Sequence, residues 1–296
     1  MKYLKKTKTV FLILLSIISV CLVSSIPVEA SGMIFIRKDG SIEGTNKIYR
    51  SGNVYTFTGD IEDSYGIIVE TTDIVIDGQG HTLDGTQRIL PVGSWDYGIE
   101  LANITSGHVT VKNLKIIDFN IGVYVGTAHN TIMGNSIIGS NVGILIAESP
   151  TFVIGNHIQE NIEGIFLGPL PHNHEIVHNI IYHNSFVNNT RDVYDCECAD
   201  PYWVQHLNIW DNGTCGNYWS NYEGADSNKD GIGDTLYQIT EDDFDVSPLI
   251  TPLALPLENS FLTVETGIVV AVGIVIAAGV TLYVVVKRRK SKVDLK

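Results

Sequence analysis

The sequence is short of positive charge. Its 19 Lys and Arg face 33 Asp and Glu, and between residues 31 and 266 nine cations face thirty-one acids, a formal balance of −22. So acidic a surface repels polyanions and excludes nucleic acid as a partner; it suits cations, a salty surrounding, or plain solubility. Cysteine is also scarce, at four residues. Cys21 falls in the leader described below, which leaves Cys196, Cys198 and Cys215, and an odd number excludes complete pairing. One disulfide plus a free or intermolecular thiol is the simplest accounting. Cys196 and Cys198 are two residues apart, so Cys215 is the expected partner of one or the other.

Long apolar runs are confined to the ends of the chain. Residues 1–30 carry Lys2, Lys5, Lys6 and Lys8, an apolar run from Val10 to Val23, then Val28-Glu29-Ala30 before Ser31. That order reads as a secretory signal peptide, the run being shorter than the roughly 20 residues a span requires. Residues 263–286 read as a transmembrane helix, because Gly267 to Val286 holds no charge and Lys287-Arg288-Arg289-Lys290 follows at once. Basic residues favour the cytoplasmic side, so residues 287–296 are expected inside and everything before the span outside. The expected protein is thus a single-pass one on the cell membrane. Asn103, Asn188 and Asn212 open glycosylation sequons.

Between these ends the chain repeats itself. Gly98-Ile-Glu-Leu, Gly122-Val-Tyr-Val, Gly143-Ile-Leu-Ile and Gly164-Ile-Phe-Leu recur, with Asn113, Asn135, Asn156 and Asn179 in each unit at nearly the same spacing, and Gly66-Ile-Ile-Val opens an earlier unit. Such periods signal a solenoid. Alternating apolar residues signal strands, so Ile99, Val123, Ile144 and Ile165 should form one inward column, and Leu101, Val125, Ile146 and Leu167 the next. Units this short fit three strands joined by tight bends; Asn suits the bends, and Gly would allow a sharp turn into each strand. The Leu spacing of a leucine-rich repeat is missing. The expected fold is all-β, a right-handed parallel β-helix with capped ends. Residues 31–60 are expected to form the N-terminal cap, 61–191 the coils, 192–249 a last coil and cap, and 250–262 a Pro-containing linker.

In the C-terminal part, Asp226, Asn228, Asp230, the Ile232 carbonyl and Asp234 space oxygens at alternate positions around Gly231. This reads as a calcium loop lacking the last ligand of an EF-hand, with Ca²⁺ as a structural ion. Tyr202, Trp203, Trp210, Tyr218, Trp219 and Tyr222 lie around it, read first as a plug for the open end of the core and second as a sugar platform. His172, His174 and His178 share strand parity and are candidate ligands for copper or zinc, with His183 nearby. Asp73, Asp77, Asp84, Asp96 and Asp118 are the acids a polysaccharide-cleaving enzyme would need, but their spacing does not pair them on one face. No residue is therefore assigned a catalytic role.

Several stretches resemble one family. Ile36-Arg-Lys-Asp-Gly-Ser-Ile-Glu-Gly-Thr, Ile74-Val-Ile-Asp-Gly-Gln-Gly-His-Thr-Leu-Asp-Gly, the Asn/Gly repeats, and Gly216-Asn-Tyr-Trp-Ser-Asn-Tyr with Asp226 to Thr235 resemble NosD-type β-helix proteins, in particular membrane-anchored versions on archaeal cell surfaces. The resemblance spans about Met33 to Leu249. It implies the right-handed parallel β-helix and a domain type labelled carbohydrate-binding and sugar hydrolysis. It also implies a copper connection, since the name-giving members assist assembly of the copper site of nitrous oxide reductase. The expected role is a non-catalytic binding or scaffold module contacting extracellular glycan or neighbouring surface proteins. Its rivals are a glycoside hydrolase or polysaccharide lyase, and a copper-assembly factor.

Overall fold

The computed structural model describes residues 32–253 except 63, 86–95, 105, 169–177, 197–207 and 241–242. Over them the chain winds into a right-handed parallel β-helix of about five turns. Each turn gives one short strand to each of three sheets, as in Ile121–Val125, Asn130–Met133 and Ser136–Ile138. The first sheet has eight strands, the second seven and the third six. Val123 lies beside Ile99 and Ile144, and Val125 beside Leu101 and Ile146, so the two expected columns form in register. All eight residues of those columns are fully buried. Burying a side chain of this size contributes about 1.5 to 3 kcal/mol, which no single turn could achieve alone.

The repeated glycines serve a different purpose from the expected one. Gly98, Gly122, Gly143 and Gly164 have ordinary φ values. Each is confined by the next coil: a Cβ on Gly143 would lie 2.6 Å from the Gly164 carbonyl oxygen, and one on Gly122 would lie 2.7 Å from the Ile137 side chain. Two successive residues face the core there, and only hydrogen fits at the first. The sharp bends are made by other residues, among them Asn113, His108 and His129, which adopt positive φ.

The four repeated asparagines fall into three phases rather than one. Asn135, Asn156, Asn184 and Asn217 form a ladder at the corner between the second and third sheets, each accepting on Oδ1 from the backbone N–H of the turn before it. Asn113 precedes that phase by one residue, since Met133 pairs with Lys112. Asn179 pairs in phase with Thr151 and belongs to the corner between the first and second sheets. Twelve residues separate Leu167 from Ile180 where four separate Ile146 from Thr151, so a count along the sequence slips out of register.

The segment expected as an N-terminal cap already winds with the helix. Ile34–Ile36 pairs in parallel with Ile67–Val69, and Val54–Phe57 with Val75–Asp77. Ile42–Glu43 and Ile48–Ser51 fold back antiparallel on these two strands. At the other end the core is closed by stacked rings. Phe186 stacks on Trp219 at 4.4 Å, and Trp219 on Tyr237 at 4.5 Å, with Trp210 and Trp219 each 1 % exposed. Tyr202 and Trp203 lie outside the described residues.

The Asn ladder ends on a carboxylate. Asp245, fully buried, accepts from Asn217 N–H at 2.6 Å, Trp219 Nε1–H at 2.9 Å and Ser247 N–H at 3.1 Å. A Cβ on Gly216 would meet that carboxylate at 1.7 Å, which explains the Gly in the Gly216-Asn217-Tyr218-Trp219 stretch. Among the described residues no helix is long and apolar enough to cross a membrane. The expected leader and the span at 263–286 lie outside those residues.

Candidate functional site

The outer face of the first sheet carries an apolar stripe. Register places Tyr97, Ile121, Val142, Glu163 and Arg191 in one outward column. Phe35, Ile68, Glu100, Tyr124, Leu145, Phe166 and Tyr194 form the next. Beside them runs a column of small residues, Ala102, Gly126, Ala147 and Gly168. The small column makes room for rings: a Cβ on Gly126 would lie 3.3 Å from Tyr124 Cζ, and one on Gly168 only 2.5 Å from Phe166 Cε1. Rings can therefore lie over the sheet instead of standing away from it. Tyr97 and Tyr124 stack at 4.9 Å and 20°, and Phe166 meets Tyr194 edge-on at 5.0 Å. Ile121, Leu145 and Ala147 are buried beneath Tyr97, Tyr124, Val142 and Phe166, a second apolar cluster outside the main core.

Charge on this face is sparse and placed at defined points. Glu100 stands next to Tyr124 in its column, and burial pushes its carboxyl above the usual range, opposed by the Asn103 Nδ2–H that donates to it at 2.9 Å. Burial also pushes Tyr97 up to about 12, with Tyr124 and Glu100 adding to the effect. Tyr124 is raised by burial and by Glu100 and Glu148. Arginines bracket the stripe. Arg37 lies 3.8 Å above the Phe35 ring and bonds Glu70 at 3.0 Å. Arg191 lies 4.5 Å above Tyr194 and 3.9 Å from Glu163. Half-buried rings, phenolic hydroxyls and one desolvated carboxyl suit a ligand with flat apolar faces edged by hydrogen-bonding groups.

The sequence pattern carried this face in plain view, at the third residue of each repeated tetrapeptide: Glu100, Tyr124, Leu145 and Phe166. It went unread because inward columns dominate a periodicity argument, and an outward aromatic looks the same as surface variation.

The five early aspartates have separate surroundings. Asp77 is buried, with Lys112 Nζ at 3.1 Å and Asn113 Nδ2–H at 3.1 Å. Asp96 accepts from Asn120 N–H at 3.0 Å, and Asp73 sits in a turn at positive φ. Asp84 and Asp118 do come together on neighbouring coils, where burial and then the charge of Asp84 push Asp118 up. They lie at the corner between the third and first sheets.

The expected calcium loop is a tight turn that uses its own oxygens. Asp226 accepts from Asp230 N–H and Gly231 N–H, Asp230 from Ile232 N–H, and Asp234 from Ser227 N–H. The Ser227 bonds hold the Asp234 carboxyl below its usual range. Asn228 donates to Asp230, so these side chains gather round one loop. Among the described residues, no three His, Cys, Asp or Glu side chains stand together as a metal site. His178 is exposed at a first corner, and His172 and His174 lie outside the described residues.

The cysteines depart from expectation. Cys215 is free and Cys196 is disulfide-bonded, so the bond expected at Cys215 is not made. Cys196 follows the strand Arg191–Asp195 at one edge of the second sheet, while Cys215 precedes Tyr218–Trp219 at the other. Three or four residues of strand separate the two corners by about 10 to 13 Å, beyond the roughly 7 Å that a disulfide spans. Cys198 lies outside the described residues. Of the sequon asparagines, Asn212 projects in an exposed turn whose Thr214 hydroxyl donates to it at 2.6 Å. Asn188 sits exposed at positive φ, and Asn103 is engaged with Glu100.

Comparison with known proteins agrees with the fold. The family model described as "Periplasmic copper-binding protein (NosD)" matches residues 24–224. No curated protein matches the chain.

Proposed function

Since the chain belongs to the NosD family of β-helix proteins, we propose that it works outside the cytoplasm as a non-catalytic binding module. It is held at the membrane by residues 263–286, and its ligand is an extracellular glycan taken up on the outer face of the first sheet. The observation that carries this reading is the ring stripe: Tyr97 on Tyr124 and Phe166 against Tyr194, laid over a column of Ala and Gly. Sugar rings present flat C–H faces edged by hydroxyls, which such a stripe can stack on while Glu100 and the tyrosine hydroxyls bond the edges. The family's periplasmic description favours the same side of the membrane.

Binding without cleavage is read from the acids of this face, since Asp84 and Asp118, which do adjoin, lie at the corner between the third and first sheets rather than on it. Glycoside hydrolysis needs two carboxyls facing each other across the scissile bond, about 5 to 9.5 Å apart. Glu100 and Glu163 stand three coils apart and three residues out of line along the strand, about 17 Å between backbones at the usual spacings. Calcium enters this reading as a structural ion of the 226–234 loop, supported by the alternate spacing of Asp226, Asn228, Asp230 and Asp234 around Gly231. The reading assigns copper no role.

The test is to expose the purified chain in detergent to a panel of neutral and acidic polysaccharides, recording retention and release of reducing ends. Retention of a neutral glycan without release is the expected result. Release that disappears in Asp84→Asn or Asp118→Asn would make the protein an enzyme, and retention of none would end the glycan reading.

A further inference from the structure

The last hairpin of the domain has two unlike faces. Tyr237–Gln238 pairs antiparallel with Phe244–Asp245, so Leu236 lies opposite Val246 and Gln238 opposite Phe244. The inner face closes the solenoid, with Tyr237 stacked on Trp219 and Asp245 ending the Asn ladder. The outer face is Leu236, Gln238, Phe244 and Val246, free of charge in a domain that is otherwise acidic. Leu236 is 53 %, Phe244 36 % and Val246 58 % exposed. A plug needs only its inner face to be apolar, so closing the core does not account for the outer one.

We infer that this hairpin face rests in the interfacial layer of the bilayer that anchors the chain. The inference rests on the anchored reading above. Three facts argue for lipid as the occupant. From Leu253, whose N–H donates to Ser185 Oγ two coils from the hairpin end, only nine residues lead to the span at 263. Fully extended, these reach at most about 32 Å, which keeps the C-terminal end of the solenoid beside the membrane. The face is also far smaller than the roughly 20 to 30 residues a side of a stable protein interface, which argues against a second copy. Finally, the apolar outer face of the hairpin strands suits shallow insertion, whereas Glu241 and Asp242, which lie between the two strands in sequence, and Asp234 and Glu223, exposed in the same cap, disfavour an anionic headgroup layer. The lipid expected is therefore zwitterionic or neutral. The solenoid then stands with its C-terminal end on the membrane and its first-sheet stripe facing sideways, open to glycan.

Hydroxyl-radical footprinting of the full chain in nanodiscs of zwitterionic lipid, one copy to a disc, tests this. Alkaline extraction of native membranes run alongside reports on the anchor. Leu236, Phe244 and Val246 should be oxidised at least fivefold more slowly than in detergent-free, protease-released domain, while Tyr49 at the opposite end changes little. Leu236→Asp with Val246→Asp should restore oxidation of Phe244. A chain that resists extraction yet leaves the hairpin as reactive as Tyr49 overturns the inference and leaves the anchor standing. A chain that washes off the membrane removes the anchor and this inference together. Protection seen only with two copies per disc would assign the face to a second chain, also overturning it.

Discussion

The two corners that flank the second sheet are built in opposite ways. Between the second and third sheets two residues turn the chain on four successive coils, from Lys112–Lys115 to Tyr182–Ser185, and one unbroken ladder runs from Asn135 through Asn156, Asn184 and Asn217 to Asp245. Between the first and second sheets the connection varies, from four residues after Val125 to eight after Leu101 and twelve after Leu167, and the ladder there is interrupted by Thr151, flanked by Asn130 and Asn179. The difference separates two tasks. A corner that holds register by repeated buried amides leaves the opposite corner able to change length, and the changeable corner is the one beside the aromatic stripe.

Substitutions should divide along that line. Asn184→Ala strands the buried Asn156 N–H, removes the Asn184 donor from the Val153 carbonyl and takes one of three acceptors from the Asn156 side-chain amide. Chemical denaturation should show a loss of about 3 kcal/mol or more. Asn179→Ala at the changeable corner strands chiefly the Thr151 N–H and should cost about half as much, so equal costs would erase the distinction between the corners. Next in size, Gly143→Ala drives a methyl against the Gly164 carbonyl and should cost about 1 to 3 kcal/mol in the same assay. If it stabilises instead, as a flexible-turn glycine would on replacement, close approach is the wrong explanation.

Calcium acts on the cap rather than on either corner. At about ten times its dissociation constant it should stabilise by roughly 1.4 kcal/mol, seen as a rise of a few degrees in melting temperature that Asp226→Ala abolishes. An unchanged melting temperature would remove the ion from the account. The smallest effect concerns Glu100. Its folded carboxyl holds its proton to a higher pH than the unfolded one, so stability is fullest below the ordinary carboxylate value and falls as pH rises through the raised one. Glu100→Gln should flatten that part of the stability profile, measured by denaturation at pH 3 to 7. An identical slope in the variant would place the burial of Glu100 in doubt.

Much of the fold was legible because burial leaves a period. Ile99, Leu101 and their counterparts recur with the coil, and the alternation alone orders them into columns. The glycines misled because close approach and positive φ both select Gly, and the sequence does not distinguish them. The asparagines misled because the twelve residues between Leu167 and Ile180 shift the phase, so that Asn184, and not Asn179, follows Asn156 in the ladder. Cys215 looked like a partner because distance along the chain says nothing of which corner a residue occupies. The stripe itself was hidden by its own variety: Glu100, Tyr124, Leu145 and Phe166 share a position but not a chemistry, and only the three-dimensional column shows that they adjoin.

The measurement closest to the central claim compares glycan retention by the wild-type chain with that of two double variants, Tyr97→Ala/Tyr124→Ala on the first sheet and Lys115→Ala/Gln159→Ala on the outer face of the third. The account predicts at least a fivefold weaker retention for the first pair, about the worth of one aromatic stack, and no change for the second, with both proteins still folded by circular dichroism. Retention that survives loss of both tyrosines, or that falls equally in the two variants, would contradict a binding face on the first sheet.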